Sequence, residues 1–115
     1  MSNPLPIQRL TPDVCVAAQL DVAAMALLAQ AGFRSVINNR PDFEGGPDQP
    51  SSAAIEGAAL AAGLAYIHLP VAPGYQSPEE IARFAGLLTT MPKPILAFCR
   101  TGTRSGKLYS AATQA

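Results

Sequence analysis

Residues 95–105 read ILAFCRTGTRS. Four apolar residues end at Cys99, and a small, basic, hydroxyl-rich loop follows at once. With Lys93 and Pro94 ahead of it, the apolar run has the length of a buried strand, and Gly102 onward reads as the start of a short helix. Strand, tight loop and helix in that order form half of a βαβ unit. In parallel sheets ligands bind beyond the carboxyl ends of the strands, so this reading delivers the Cys99 thiol to the end of the sheet where ligands bind.

The chain on the N-terminal side repeats the alternation. IQRL and DVCVAAQL, joined at Thr11-Pro12, read as a two-stranded ribbon. Asp21 then stands at the N-cap of an alanine- and leucine-rich helix, VAAMALLAQAG, stopped by Gly32. RSVIN follows as a short strand and ends in NRPDFEGGPDQPSS, where three prolines and two glycines predict a surface loop of functional length. Ser51 or Ser52 caps the helix AAIEGAALAAG, and LAYIHLPV is the next strand. Ser77 opens a helix that runs to Met91, with Pro78 at its first position and Glu79 and Glu80 in its first turn. The pattern predicts an α/β fold: a mostly parallel central sheet of about four to five strands flanked by helices, as a single domain over residues 1–115.

Composition narrows the function. A chain of 115 residues buries about two-thirds of its unfolded surface and needs no staples. It is 49% hydrophobic and 14% charged, with zero formal net charge. That balance excludes a disordered chain and, lacking a basic excess, argues against nucleic-acid or anionic-membrane partners. The two cysteines, Cys15 and Cys99, form no CxxC, and there is one histidine, so neither a zinc site nor a disulfide framework is expected and no cofactor is called for. MSNPLPIQRL lacks the apolar centre of a secretory signal, and VAAMALLA, Val22 to Ala29, is too short to span a membrane. The expected compartment is the reducing cytoplasm.

A cysteine at a strand end is usually a small inert hydrophobe, and Cys15 in DVCVA fits that reading. Cys99 differs through its neighbours. Arg100, Thr101, Gly102 and Thr103 lead into a helix whose first N–H groups have no partner within it and form an anion cradle. Arg100 and Arg104 add positive charge, Thr101, Thr103 and Ser105 add hydroxyls, and Gly102 permits a positive φ. Such a setting lowers a thiol pKa from about 8.5 to about 3.5–7.5. On the strand-end loop NRPDFEGG, Arg40 is a candidate for anion binding, and Asp42 and Glu44 for a substitute general acid. The plainer alternative is an Arg-Pro-Asp turn with Asp42 bonded to its own backbone. His68 reads as a structural histidine of an apolar strand.

Taken together and in order from about Gln8 to Tyr109, RSVINNRPDFE, GLAYIHLPV and ILAFCRTGTRS resemble the bacterial beta-lactamase-hydrolase-like phosphatase domain, a branch of the dual-specificity protein phosphatase superfamily. The resemblance implies a cysteine-phosphatase-like fold, with Cys99 as nucleophile, Arg104 clamping the anion and Ser105 assisting the thiolate. The loop N–H groups from Arg100 to Arg104 would hold the oxyanions. Three features depart from the superfamily pattern. The loop is Cys-x4-Arg, one residue shorter than usual; Phe98 stands where histidine is typical; and APGYQ after HLPV lacks the general-acid aspartate. The short loop is similar instead to that of rhodanese-type sulfurtransferases, whose cysteine carries a persulfide.

The leading expectation is a cysteine-dependent, phosphatase-like hydrolase acting on phosphate monoesters through a phosphocysteine on Cys99. A sulfurtransferase with a persulfide on Cys99 is the alternative, and a non-catalytic anion-binding module is the third option. Either enzyme takes a small anionic substrate, a phosphoryl or a sulfane-sulfur donor. The sequence runs only ten residues beyond Ser105, so a fused or associated domain, or a second copy, is a candidate to cover the apolar side of the closing helix.

Overall fold

Nine elements alternate along the chain in the computed structural model, which describes residues 7–114. Residues 1–6 of the proline-bearing N-terminal stretch lie outside that range. The order is β1 (Ile7–Thr11), β2 (Val14–Ala17), α1 (Val22–Gln30), β3 (Ser35–Asn38), α2 (Ser52–Ala61), β4 (Ala65–His68), α3 (Pro78–Thr90), β5 (Ile95–Phe98) and α4 (Thr103–Thr113). One five-stranded sheet runs β1-β2-β5-β3-β4. β1 pairs antiparallel with β2, forming the expected ribbon, and the other neighbours are parallel.

Strand side chains alternate between the two faces of the sheet, and both faces are covered. Cys15, Ala17, Val36, Tyr66, Leu96 and Phe98 pack under α1 and α2 with Met25, Leu28 and Ile55. Val16, Ile37, Ile95 and Ala97 pack under α3 and α4 with Phe84 and Leu108. Burying each large aliphatic or aromatic side chain contributes about 1.5–3 kcal/mol, which is why β5, buried at every position, can stand as the central strand. Leu108 is fully buried, so the sheet and α3 cover the apolar side of α4. No helix among the described residues is long and apolar enough to cross a membrane.

All four helix starts follow the sequence signals, and three of them carry a side-chain cap. Asp21 caps α1 through Ala24 N–H at 3.0 Å, and Ser51 caps α2 through Ala54 N–H at 3.1 Å. Ser77 and Glu80 form a reciprocal capping box on α3. α4 begins instead at Gly102, with φ +91° and no side-chain cap, so its first N–H groups remain for another acceptor. Because β5 lies between β2 and β3, Ala17, Phe98 and Asn38 end side by side in register. The segments leaving them converge on one edge of the sheet.

Candidate active site

Cys99 is the first residue after β5 and is 1% exposed. Its N–H donates to Ala17 O at 3.3 Å, and Gln19 N–H donates to Arg100 O at 3.2 Å, tying the loop to the end of β2. A Cβ on Gly102 would sit 3.4 Å from the Ala17 carbonyl carbon, in a left-handed conformation that other residues adopt only with strain. That turn sends Gly102 N–H onto Cys99 Sγ at 3.1 Å. Burial pushes the thiol pKa up. The N–H groups of Ser105 and Thr101, the Ser105 hydroxyl and Gly102 N–H outweigh it, so the net shift is downward. Cys15, 2% exposed, shows the opposite balance: burial pushes its thiol up, against a smaller pull from Arg9. Thr101 and Thr103 bond to each other through their hydroxyls at 3.0 Å on the exposed rim.

Arg104 is 8% exposed although charged. Its Nη1 donates to Val71 O at 3.0 Å and to Glu44 Oε2 at 2.9 Å, while Nη2 donates to Glu44 Oε1 at 2.8 Å. A guanidinium has five N–H donors. The two with no partner among the described residues, on Nε and the outer side of Nη2, form one complete edge, a fork matched to two anion oxygens. Glu44 thus holds one edge of Arg104 and leaves the other open. The same Oε1 accepts from Arg40 Nε at 2.9 Å, and Arg40 Nη1 donates to Gln19 Oε1 at 3.1 Å. Arg40, Glu44, Gly45, Pro73, Arg100 and Arg104 line a cavity of about 450 Å³ beside the loop.

This geometry corrects the reading of the loop acids. The Arg104 hydrogen bond holds the Glu44 carboxyl below the usual carboxylate range; burial opposes the shift and Arg40 reinforces it. Glu44 thus sits between the two arginines and orients them. Asp42 Oδ1 accepts from Ser52 N–H at 2.7 Å, which ties it to the start of α2 and not to its own backbone. Phe43, between them, takes a left-handed backbone at φ +65°. Arg40 lines the same cavity as Arg100 of the loop, with two of its donors already engaged.

Beneath the loop lies a buried polar layer in which Ser105, Ser52 and His68 are joined by Asn38, Asn39 and Tyr66, which the sequence reading did not single out. Asn39 is fully buried: Nδ2 donates to Leu69 O at 3.0 Å, and Oδ1 accepts from Ser105 Oγ at 2.8 Å. Its backbone bridges β5 and the segment after β4, donating to Phe98 O at 2.8 Å and accepting from Val71 N–H at 3.0 Å. Asn38 Nδ2 reaches Tyr66 Oη at 3.0 Å, and Tyr66 Oη lies 2.7 Å from Ser52 Oγ. His68 Nε2 pairs with Arg40 O at 2.8 Å, a structural placement. The available signal was an Asn-Asn pair ending an apolar strand, where polar groups need partners. Among the described residues, no group of three or more His, Cys, Asp or Glu side chains gathers as a metal site.

Known proteins are similar to this chain in sequence and fold. The family model for the beta-lactamase hydrolase-like protein, phosphatase-like domain, matches residues 6–115. Beta-lactamase hydrolase-like proteins of Xylella fastidiosa and Agrobacterium fabrum are 40% identical over 82 residues and 35% identical over 101 residues. These alignments cover 71% and 88% of this chain but 19% and 23% of the relatives, so the chain spans about a fifth of their length. A crystal structure from Neisseria meningitidis Z2491, described as a candidate phosphatase, superposes with a TM-score of 0.84 at 33% identity, covering 92% of this chain and 75% of that one. P. aeruginosa TpbA, solved in complex with pTyr, shares the fold at a TM-score of 0.67 and 17% identity, over 90% of this chain and 59% of its own. With three sequence motifs, the cysteine-phosphatase-like fold and these matches in agreement, the chain belongs to the phosphatase-like domain family of the beta-lactamase hydrolase-like proteins.

Proposed function

We propose that this domain is a cysteine-dependent hydrolase of phosphate monoesters, with Cys99 as nucleophile. One observation carries the reading: a buried thiol that accepts an N–H at the uncapped start of α4 lies on the same loop as an arginine whose outer edge is open and whose inner edge is fixed. The Cys99 thiolate attacks phosphorus, forming an S–P bond as the ester P–O bond breaks. The leaving oxygen departs with the electron pair and takes a proton from water. Water then attacks the phosphocysteine, the S–P bond breaks, and phosphate and the thiolate are released. The N–H groups from Arg100 to Arg104, with the open edge of Arg104, hold the non-bridging oxygens, and Ser105 supports the thiolate.

Asp42 is bonded to the start of α2 and Glu44 is engaged by two arginines, which supports aryl over alkyl esters, because a phenolate leaves unaided more readily. TpbA's complex with pTyr is in keeping with an aryl ester. Turnover of an aryl phosphate is expected, abolished in Cys99→Ser and lowered about 10²–10³-fold in Arg104→Ala. Absence of turnover anywhere between about pH 5 and 8 overturns the proposal.

The short Cys-x4-Arg loop supports a second reading, sulfur transfer. There the thiolate takes the outer sulfur of thiosulfate, the S–S bond breaks, sulfite leaves, and Cys99 carries a persulfide. Intact mass after separate exposure to thiosulfate and to an aryl phosphate distinguishes the two by the adduct found on Cys99. The greater length of the relatives supports a fused or associated domain beside this one, and two unpaired cysteines are in keeping with a reducing cytoplasm.

A further inference from the structure

Ser105 has one hydroxyl proton and two claims on it. Its Oγ lies 2.8 Å from Asn39 Oδ1, and both residues are fully buried. The orientation of the Asn39 amide is settled by its other end: Leu69 O can only accept, so Nδ2 must face it at 3.0 Å and Oδ1 must face Ser105. A carbonyl oxygen cannot donate, so the Ser105 proton lies on the line to Asn39. The same hydroxyl is among the groups that draw the Cys99 thiol pKa down, and it stabilises a thiolate only by donating. The two bonds exclude each other.

We propose that Asn39 is a positioning residue that competes with the Cys99 thiolate for the Ser105 proton, and so sets how readily the thiol ionises. While Cys99 is a thiol, Ser105 donates to Asn39 and presents a lone pair toward the sulfur. When the sulfur loses its proton, the hydroxyl turns to it and Asn39 Oδ1 loses its donor in a site closed to water. An unpaired buried acceptor is costly, so ionisation is opposed by an amount that Asn39 determines. The consequence runs against intuition: a residue beneath the site restrains the nucleophile, keeping it more basic than the loop amides alone would make it. A more basic thiolate is the stronger nucleophile, which gives the restraint a use.

The charged and titratable groups on the elements around the loop are Arg100 on the loop, Arg104 and Lys107 on α4, Arg40 and Glu44 from the segment after β3, and His68 of β4, whose ring pairs with Arg40 O. β2 and the turn after it meet the loop through backbone groups of Ala17 and Gln19, and Cys15 lies within β2 itself. None of these groups is bonded to the Asn39 side chain, whose partners are Leu69 O and Ser105 Oγ.

The inference rests on Cys99 reacting as a thiolate, and the test separates the two. The second-order rate of Cys99 alkylation by iodoacetamide is measured against pH in Cys15→Ala protein, then with Asn39→Ala, Asn39→Asp and Ser105→Ala added singly and in pairs. Asn39→Ala is expected to lower the midpoint by about one unit, a tenfold gain in thiolate below it. Asn39→Asp, nearly isosteric and a stronger acceptor, is expected to raise it. With Ser105→Ala the Asn39→Ala shift should vanish, and the Asn39→Asp shift should shrink to the part due to charge alone. A role confined to bracing the loop would instead raise the midpoint in Asn39→Ala, and would do so with or without the hydroxyl. A raised or unmoved midpoint in Asn39→Ala, or a shift that persists without Ser105, overturns the inference. Should Asn39→Ala not fold, an Asn39→Asp shift of equal size with and without Ser105 overturns it. A background midpoint at the ordinary value of about 8.5 removes instead the reading of Cys99 as a thiolate nucleophile.

Discussion

Replacing Glu44 by glutamine removes one negative charge from between two guanidinium groups and leaves the shape almost unchanged. Three charge-assisted bonds of 2.8–2.9 Å converge on this carboxylate, and two of them share Oε1. The Glu44 side chain is 19% exposed and each arginine 9%, so solvent screens the cluster only in part. Breaking a fully buried pair costs about 3–5 kcal/mol, whereas an exposed pair contributes about 0–1 kcal/mol. The intermediate exposure places Glu44→Gln at about 2 kcal/mol of lost stability near pH 7. Urea unfolding measures it, with an unchanged m-value expected. The pH dependence gives the sharper check. The folded pKa of Glu44 lies below its unfolded value of about 4.3. Its contribution is therefore complete above about pH 4.3 and lost as pH falls toward the folded value. The gap between wild type and Glu44→Gln should narrow on acidification below about pH 4. A gap under about 0.5 kcal/mol at pH 7, or one that stays constant into acid, would refute the account of Glu44 as the anion that orients both arginines.

Other perturbations follow from the same geometry. Gly102→Ala should lose about 1–2 kcal/mol to the left-handed backbone, and raise the alkylation midpoint of Cys99 by disturbing the N–H that reaches its sulfur. Because the folded pKa of Cys99 is depressed, wild type should gain stability over Cys99→Ser as pH rises through the folded value toward about 8.5, measured by urea unfolding across that window. Cys15→Ala should leave the pH profile of Cys99 alkylation unmoved, since Cys15 sits buried in β2 with its own thiol pushed up. Ser77→Ala should cost about 1 kcal/mol through loss of the α3 capping box, with no effect on Cys99 reactivity.

Much of the scaffold was legible because its signals are local. Asp21 and Ser77 cap the helices they were read to start, and Ser51, of the two serines offered, caps α2, since a cap depends on residues two or three positions away. The Cys99 loop could be placed at a strand end from a short apolar run followed by glycine. The site's wiring was not legible in the same way. Glu44 and Asp42 look alike on paper, two carboxylates in one turn, yet one lies between arginines and the other on the start of α2. Phe43's left-handed backbone lies between them, and an exposed aromatic gives no warning of it.

The order of residue types along the chain was enough to specify alternating strands and helices, the ribbon at the start, an uncapped helix after Cys99 and a thiol among N–H donors. Strand order was decided only in three dimensions. By inserting β5 between β2 and β3, the sheet brings Glu44 to Arg104 across 60 positions and Asn39 to Ser105 across 66. Local periodicity states which face of a strand is buried but not which strand lies beside it. That choice follows from packing both faces of one sheet at once, and it turns a reactive-looking loop into a site with an oriented arginine and a contested serine proton.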